Sequence, residues 1–315
     1  MTVLCLMGPT AMGKTETAMR LADRFELDLI SVDSAMVYRG MDIGTAKPDD
    51  RTLARYPHAL IDICEPWEGY SVAQFIDDVR REIESSQTRG RVPLLVGGTM
   101  LYFRRLFDGL ARLPTANATV RARLDAQAAQ IGWPAMHTRL QGIDPEAADR
   151  IGPNDMQRIQ RALEVHELSG RTLTDWLREA REQHGDQAAL RFLRIALLSE
   201  DRKQLHARIN ARFDAMMSAG FEAEVERIAN LPGVHAALPS MRAVGYRQIG
   251  AWLQGRLSRA KAVADAKTAT RRLAKRQHTW LRQTADLHCF DPLEADVEGP
   301  ISELVDGTLS ADPDI

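Results

Sequence analysis

An apolar hexapeptide, Thr2-Val3-Leu4-Cys5-Leu6-Met7, runs directly into Gly8-Pro9-Thr10-Ala11-Met12-Gly13-Lys14-Thr15, and helical spacing follows over residues 15–25. No other feature of the 315-residue chain restricts its fold so strongly. The G-x-x-x-x-G-K-T spacing belongs between a buried strand and a helix. Its glycines let the backbone wrap around an anion, and the helix end turns its free N–H groups toward that anion. Both flanks are present here. Gly8, Pro9, Thr10, Ala11, Met12, Gly13, Lys14 and Thr15 are therefore expected to cradle phosphate, with Lys14 as a mobile cation and the Thr15 hydroxyl as a ligand for Mg²⁺. Taken alone, such a loop suggests nucleotide binding, ATP above all, but it does not specify which phosphate compound it holds.

Strand, loop and helix alternate through the first hundred residues, the pattern of a parallel sheet covered by helices. Further strands are expected over 27–32, 58–63 and 92–96, the last closed by Gly97-Gly98-Thr99, and helices over 72–88 and after that turn through residue 106. Between residues 114 and about 185 the apolar positions recur only at helical spacing, over 120–131, 134–140 and 155–169. A last strand over 194–198 returns the chain to the sheet, followed by helices over 202–219, 221–230, 246–253 and 259–282. The predicted fold class is α/β, a P-loop parallel-sheet core with an inserted all-helical domain. The expected division is 1–113 for the first part of the core, 114–190 for the insertion, 191–282 for the second part with basic helices, and 283–315 for an acidic tail.

Hydrophobic residues make up 44% of the chain and charged residues 27%, as in globular proteins, and no apolar run approaches the roughly 20 residues of a membrane span. No basic leader precedes the apolar start, so a cytoplasmic protein without a membrane anchor is expected. Cys5, Cys64 and Cys289 are too scattered for a disulfide framework or a paired zinc motif, and are expected to be reduced structural thiols. The net charge of −2 conceals an asymmetry. Residues 240–282 carry eleven Lys or Arg against one acid, a local charge of +10, whereas 283–315 carry nine acids and no Lys or Arg. Attraction for a polyanion follows the local patch rather than the total. The acidic tail reads as a flexible end.

Asp33 stands at the carboxyl end of the second expected strand, where open α/β sheets bind their ligands. Beside a bound diphosphate its carboxylate could orient a nucleophile or take its proton. The alternative is that Asp33 and Ser34 cap the segment that follows. Asp42 and Lys47 are weaker candidates, and His58 reads as structural. A motor or switch NTPase would show an apolar strand ending in a metal-binding Asp, but Leu94-Leu95-Val96 ends in Gly97-Gly98-Thr99.

Ordered blocks from about residue 4 to residue 282 resemble one family, the tRNA dimethylallyltransferases, also called tRNA isopentenyltransferases. The blocks are Gly8 to Thr15; Asp33-Ser34 to Lys47-Pro48; Pro57-His58-Ala59-Leu60-Ile61-Asp62; Val96-Gly97-Gly98-Thr99-Met100-Leu101-Tyr102; Pro153 to Val165; Leu205-His206-Ala207-Arg208-Ile209; Arg242 to Gln248; and Lys275 to Arg282. The resemblance implies transfer of a dimethylallyl group from dimethylallyl diphosphate to the exocyclic amine of the adenine 3′-adjacent to the anticodon, releasing diphosphate, with Mg²⁺ as cofactor. It implies catalytic roles for Asp33, Lys14, Thr15 and Arg208, the last near the pyrophosphate. It also implies an RNA-facing set: Asp33, Ser34, Ala35 and Met36; Thr99 near the target nucleotide; Arg121; Gln157, Arg158, Ile159, Gln160 and Arg161; Arg242, Ala243, Val244, Gly245, Tyr246 and Arg247; and Lys275, Arg276, Gln277, His278, Thr279, Trp280, Leu281 and Arg282. The bland reading of Lys267, Arg271 and Lys275 is a solvated helix face, and of Trp280 a core anchor. The implied partners are a tRNA anticodon stem-loop and dimethylallyl diphosphate, and nothing requires a second subunit. No zinc module is expected, because the tail lacks Cys or His pairs. Two rivals compete: a P-loop small-molecule kinase, whose metal-binding Asp and lid arginines cannot be placed, and a non-catalytic nucleotide-gated RNA-binding protein, which gives Asp33 no task.

Overall fold

A computed structural model describes residues 2–109, 113–186, 190–293 and 297–311. In chain order its elements are β1 (Thr2–Met7), α1 (Lys14–Arg24), β2 (Leu27–Val32), α2 (Asp50–Arg55), β3 (His58–Ala59), α3 (Val72–Thr88), β4 (Val92–Gly97), α4 (Met100–Asp108), α5 (Ala118–Ile131), α6 (Trp133–Ile143), α7 (Pro145–Arg150), α8 (Met156–Ser169), α9 (Leu173–Asp186), β5 (Arg191–Leu197), α10 (Arg202–Ser218), α11 (Phe221–Ala229), α12 (Pro239–Arg242), α13 (Tyr246–Leu253), α14 (Arg259–Leu281), β6 (Leu287–Phe290) and α15 (Glu298–Ser310). They form two compact units, residues 1–103 with 189–315, and residues 104–188. Among the described residues no helix is long and apolar enough to cross a membrane.

The first unit is built on a parallel sheet in the order β3-β2-β4-β1-β5-β6. Both β1 and β4 are buried at every position, as continuous apolar runs are when a parallel sheet is covered on both faces. Their register decides where ligands meet. Gly97 at the end of β4 pairs with Met7 of β1 on one side and Val32 of β2 on the other, so Gly8, Gly98 and Asp33 leave the sheet side by side at its carboxyl edge.

Two sequence expectations need correction. The strand expected over 58–63 stops after Ala59, because Leu60 and Asp62 have φ of 63° and 55°, left-handed values that a strand cannot hold. The acidic end is not a free tail either. Strand β6 extends the sheet beside β5, and α15 buries Ile301 and Val305 in the core that contains Leu4 and Ile195. The count of acids masked the apolar residues at the two ends of β6, Leu287 and Phe290, and those at helix spacing in α15, Ile301 with Leu304 and Val305. Burying each aliphatic side chain stabilises by roughly 1.5–3 kcal/mol, while the acids on the other faces stay in water.

A second core in this unit joins the loop after β2 to the helices that follow β5: Tyr38 and Met41 pack with Phe213, Phe221, Tyr246 and Ala266. The nearly buried Glu224 ties it together, accepting from the backbone N–H groups of Asp42 (3.0 Å), Ile43 (2.8 Å) and Gly44 (2.9 Å) and from the Tyr246 hydroxyl (2.5 Å).

In the second unit, Leu124, Met136, Leu140, Ile159 and Leu163 form the core of a helical bundle from α5, α6 and α8. Glu164 is fully buried there. Its oxygens accept from Asn117 N–H (2.8 Å), from Arg121 Nε (2.9 Å) and Nη2 (3.1 Å), and from Arg161 Nη1 (2.7 Å). Burial pushes the Glu164 carboxyl up, but the bonds from Arg121 and Arg161 outweigh it and hold the pKa below the usual range.

Candidate active site

The phosphate loop leaves β1 at Gly8 and closes on α1 through residues in the left-handed region, Ala11 (φ 67°) and Gly13 (φ 83°). Gly13 is the N-cap of α1 and offers no side-chain cap. The first-turn N–H groups therefore lack a side-chain partner and favour an anion. Lys14 Nζ donates to Pro9 O at 2.8 Å, folded back over the loop. Although part of the residue reaches solvent, its ammonium end is enclosed by protein. Desolvation first, and repulsion from Arg212 second, lower its pKa to about 8 against the opposing pull of Asp33. Met12 is buried in the core, so it can offer a ligand only its backbone.

At the end of β2 the capping reading of Asp33 is met, and part of its carboxylate stays open. Its Oδ1 accepts from the N–H groups of Ala35 (2.8 Å) and Met36 (3.2 Å), a cap on a turn rather than on a helix. All its hydrogen bonds fall on that one oxygen, leaving Oδ2 unengaged among the described residues. Beside it, Ser34 N–H donates to Thr99 Oγ at 3.0 Å, and Thr99 N–H donates to Val32 O at 3.2 Å. The ends of β2 and β4 are thus laced together through Thr99.

Arg208 lies exposed on α10. One turn further on the same helix, Arg212 is half-buried, and its guanidinium feels both Lys14 and Asp33. Burial lowers its pKa while Asp33 raises it. No described residue forms a hydrogen bond or ion pair with it. Sequence reading did not single out Arg212, although its i+4 spacing from Arg208 places the two on one helix face, which was the available signal. Lys47, by contrast, donates to Tyr38 O (3.0 Å), Asp42 Oδ1 (2.6 Å) and Asp62 Oδ1 (2.6 Å), and its side chain is 3% exposed. All three of its protons are committed, so Lys47 and Asp42 are scaffold. His58 Nδ1 lies 2.7 Å from Tyr56 O, in keeping with a structural part.

The RNA-facing set divides sharply. Ser34, Gln157, Arg158, Arg242, Arg247, Lys275, Arg276, Thr279 and Arg282 are exposed, and Ala35, Met36, Thr99, Ala243, Val244, His278 and Trp280 are half-buried. Five members are turned inward instead: Ile159, Tyr246 and Leu281 sit in hydrophobic cores or fully buried on a helix, Gly245 packs beneath Phe221, and Gln277 is 7% exposed. The reason is helical periodicity, since a contiguous block on a helix places every third or fourth residue inside. Arg121 and Arg161 are occupied by Glu164, and Gln160 Nε2 donates to Asp125 Oδ1 at 2.6 Å. The basic patch is also thinner than its +10 suggests: Arg259 pairs with Glu222, Lys261 with Asp265, Lys267 with Asp214, and Arg282 with Glu200. Of the thiols, Cys5 and Cys64 are buried, whereas Cys289 is exposed.

Comparison with known proteins closes on one family. The sequence profile of the IPP transferases matches residues 36–284. A tRNA dimethylallyltransferase of Methylobacillus flagellatus is 51% identical, over 97% of this chain and 96% of its own, and one of Burkholderia thailandensis is 50% identical over 95% and 96%. Among solved structures, a full-length tRNA isopentenylpyrophosphate transferase of Bacillus halodurans superposes with a TM-score of 0.72 at 36% identity, covering 98% of this chain and 97% of that one. A eukaryotic dimethylallyltransferase that acts on tRNA shares the fold, with a TM-score of 0.80 at 22% identity. With a phosphate loop, Asp33 and Thr99 gathered at one sheet edge and this similarity running nearly end to end, the chain belongs to the tRNA dimethylallyltransferase (IPP transferase) family of prenyltransferases.

Proposed function

We propose that the phosphate loop holds dimethylallyl diphosphate and that Asp33 receives the adenine of a tRNA anticodon loop beside it. The observation that carries this reading is that the phosphate loop after β1 and Asp33 after β2 leave the sheet side by side at its carboxyl edge, with Lys14 and Arg212 close enough to Asp33 to feel its charge. Two cations against a single carboxylate favour an anion, and one free carboxylate oxygen favours an amine. In the reaction the adenine amine nitrogen bonds to the first carbon of the prenyl group and the carbon–oxygen bond to diphosphate breaks, its electron pair leaving on the diphosphate. Asp33 Oδ2 orients the amine and takes its proton. Lys14, Arg212, Arg208 and the first-turn N–H groups of α1 stabilise the departing charge. Because an aromatic amine is a weak nucleophile, alignment contributes as much as charge.

Mg²⁺ fits the residues present. Thr15 offers a hard oxygen donor, and diphosphate oxygens and water would complete the shell, with Asp33 committed to its turn and to the amine. When bound, the ion neutralises part of the diphosphate charge. The target base must leave its stack, at a cost of a few kcal/mol. Ser34, Thr99 and the exposed Lys275, Arg276 and Thr279 of α14 are the groups available to receive the RNA. The proposed enzyme is cytoplasmic and acts as a monomer.

Incubation with labelled dimethylallyl diphosphate and unmodified tRNA tests the reading. Label is expected in RNA, at the adenine following the anticodon. Absence of label, with ATP consumed in the presence of a small acceptor, would turn the assignment to a kinase.

A further inference from the structure

We propose that Gln277 is a positioning residue for the diphosphate site, acting from inside the basic helix rather than by touching RNA; the proposal rests on the diphosphate reading above. The buried positions of α14 are Ala262, Ala266, Ala274, Gln277 and Leu281, one stripe at steps of four, eight, three and four residues. Gln277 is the polar member of an otherwise apolar stripe. Its neighbours Lys275, Arg276 and Thr279 are exposed.

The two ends of its amide have separate tasks. Oε1 accepts from the N–H of Thr10, in the phosphate loop, at 3.2 Å. Nε2 donates to the carbonyl of Gly98, in the turn after β4, at 2.7 Å. One side chain thereby fixes the loop after β1 to the turn after β4, and Gly98 precedes Thr99, which binds Ser34 beside Asp33. The junction has no slack: a Cβ on Gly98 would lie 2.6 Å from Gln277 Nε2 and 3.2 Å from Gly8 O. Neither methionine nor ionised glutamate, both of similar length, can substitute. Methionine fills the space with neither donor nor acceptor, and ionised glutamate offers two acceptors, faces the Gly98 carbonyl without a proton and adds negative charge beside the phosphate loop. A protonated glutamate again presents one donor and one acceptor.

Calorimetric titration with inorganic pyrophosphate and Mg²⁺, alongside tRNA binding and steady-state kinetics, tests this. In Gln277→Met, loss of both bonds is expected to weaken pyrophosphate binding about tenfold. KM for dimethylallyl diphosphate should rise by a similar factor, with tRNA affinity within twofold of wild type. In Gln277→Glu the deficit relative to wild type should be larger at pH 8 and should narrow as pH falls and the carboxyl gains its proton, a response that a purely space-filling role would not produce. Wild-type pyrophosphate affinity in Gln277→Met, or a Gln277→Glu deficit that ignores pH, overturns the proposal. So does weakened tRNA binding with pyrophosphate binding intact, which would make Gln277 an RNA contact. Wild-type protein that takes up no pyrophosphate would refute the diphosphate reading itself and this proposal with it.

Discussion

Two places in the molecule set one carboxylate against two cations, with opposite results. In the second unit Glu164 is enclosed, and Arg121 and Arg161 both spend their donors on it, along with Asn117 N–H. At the sheet edge of the first unit Asp33 takes its hydrogen bonds from backbone N–H groups, and Lys14 and Arg212 feel it only through the field. The formal charge of the two clusters is the same. What differs is whether the donors are satisfied. A cation whose hydrogen bonds are complete is framework, and one held close to a carboxylate without bonding it still has its donors for an anion.

The contrast can be broken by substitution. Asp33→Ala should lower turnover by about a thousandfold, the range of a lost general base, with tRNA affinity kept; near-normal single-turnover rates would remove Asp33 from the chemistry. Glu164→Ala should destabilise by about 3 kcal/mol in urea unfolding, at the low end for breaking a buried pair because its arginines remain partly in water, and should leave pyrophosphate binding unchanged. Arg212→Ala should do the reverse, weakening pyrophosphate about 2 kcal/mol, as for a lost bond to a charged group, with little change in stability. If Arg212→Ala unfolds the protein and Glu164→Ala abolishes pyrophosphate binding, the comparison is inverted.

Proton linkage gives a smaller effect. Because the fold lowers the Lys14 pKa from 10.5 to about 8, the folded protein loses that proton first, so the lysine's cost to stability is fully present below about pH 8 and fades as pH rises toward 10.5. Diphosphate needs the charged form. Pyrophosphate affinity of the wild type should therefore fall relative to Lys14→Arg as pH rises through about 8, and parallel pH profiles would contradict this. Smallest of all, Arg276→Ala should weaken tRNA binding modestly and reduce its salt slope by about 1, while an unchanged slope would take α14 out of the RNA interface.

What could be read in advance was local. The phosphate loop, Asp33 after β2 and the Gly97-Gly98-Thr99 turn each follow a strand whose residues are contiguous in the chain, so the pattern carries its own context. Arg212 escaped notice because its meaning depends on Lys14 and Asp33, nearly two hundred residues away. The block 275–282 reads as one RNA-facing unit because a linear stretch does not reveal which way a helix is turned; the core draws Gln277 and Leu281 inward and leaves Lys275 and Arg276 in water. The acidic end looks like a free tail in the sequence because charge is counted per residue, whereas burial depends on which face carries the apolar groups.

Sequence alone determined the α/β class, the phosphate loop and the family, since these rest on short-range spacing and on ordered blocks. Tertiary structure decided which charges remain available. Whether Arg161 serves a buried carboxylate while Arg212 stays uncommitted, or Gln277 locks a loop while Arg276 faces solvent, depends on long-range packing that sets each group's partners and its access to water. A cation's type and position in the chain specify neither.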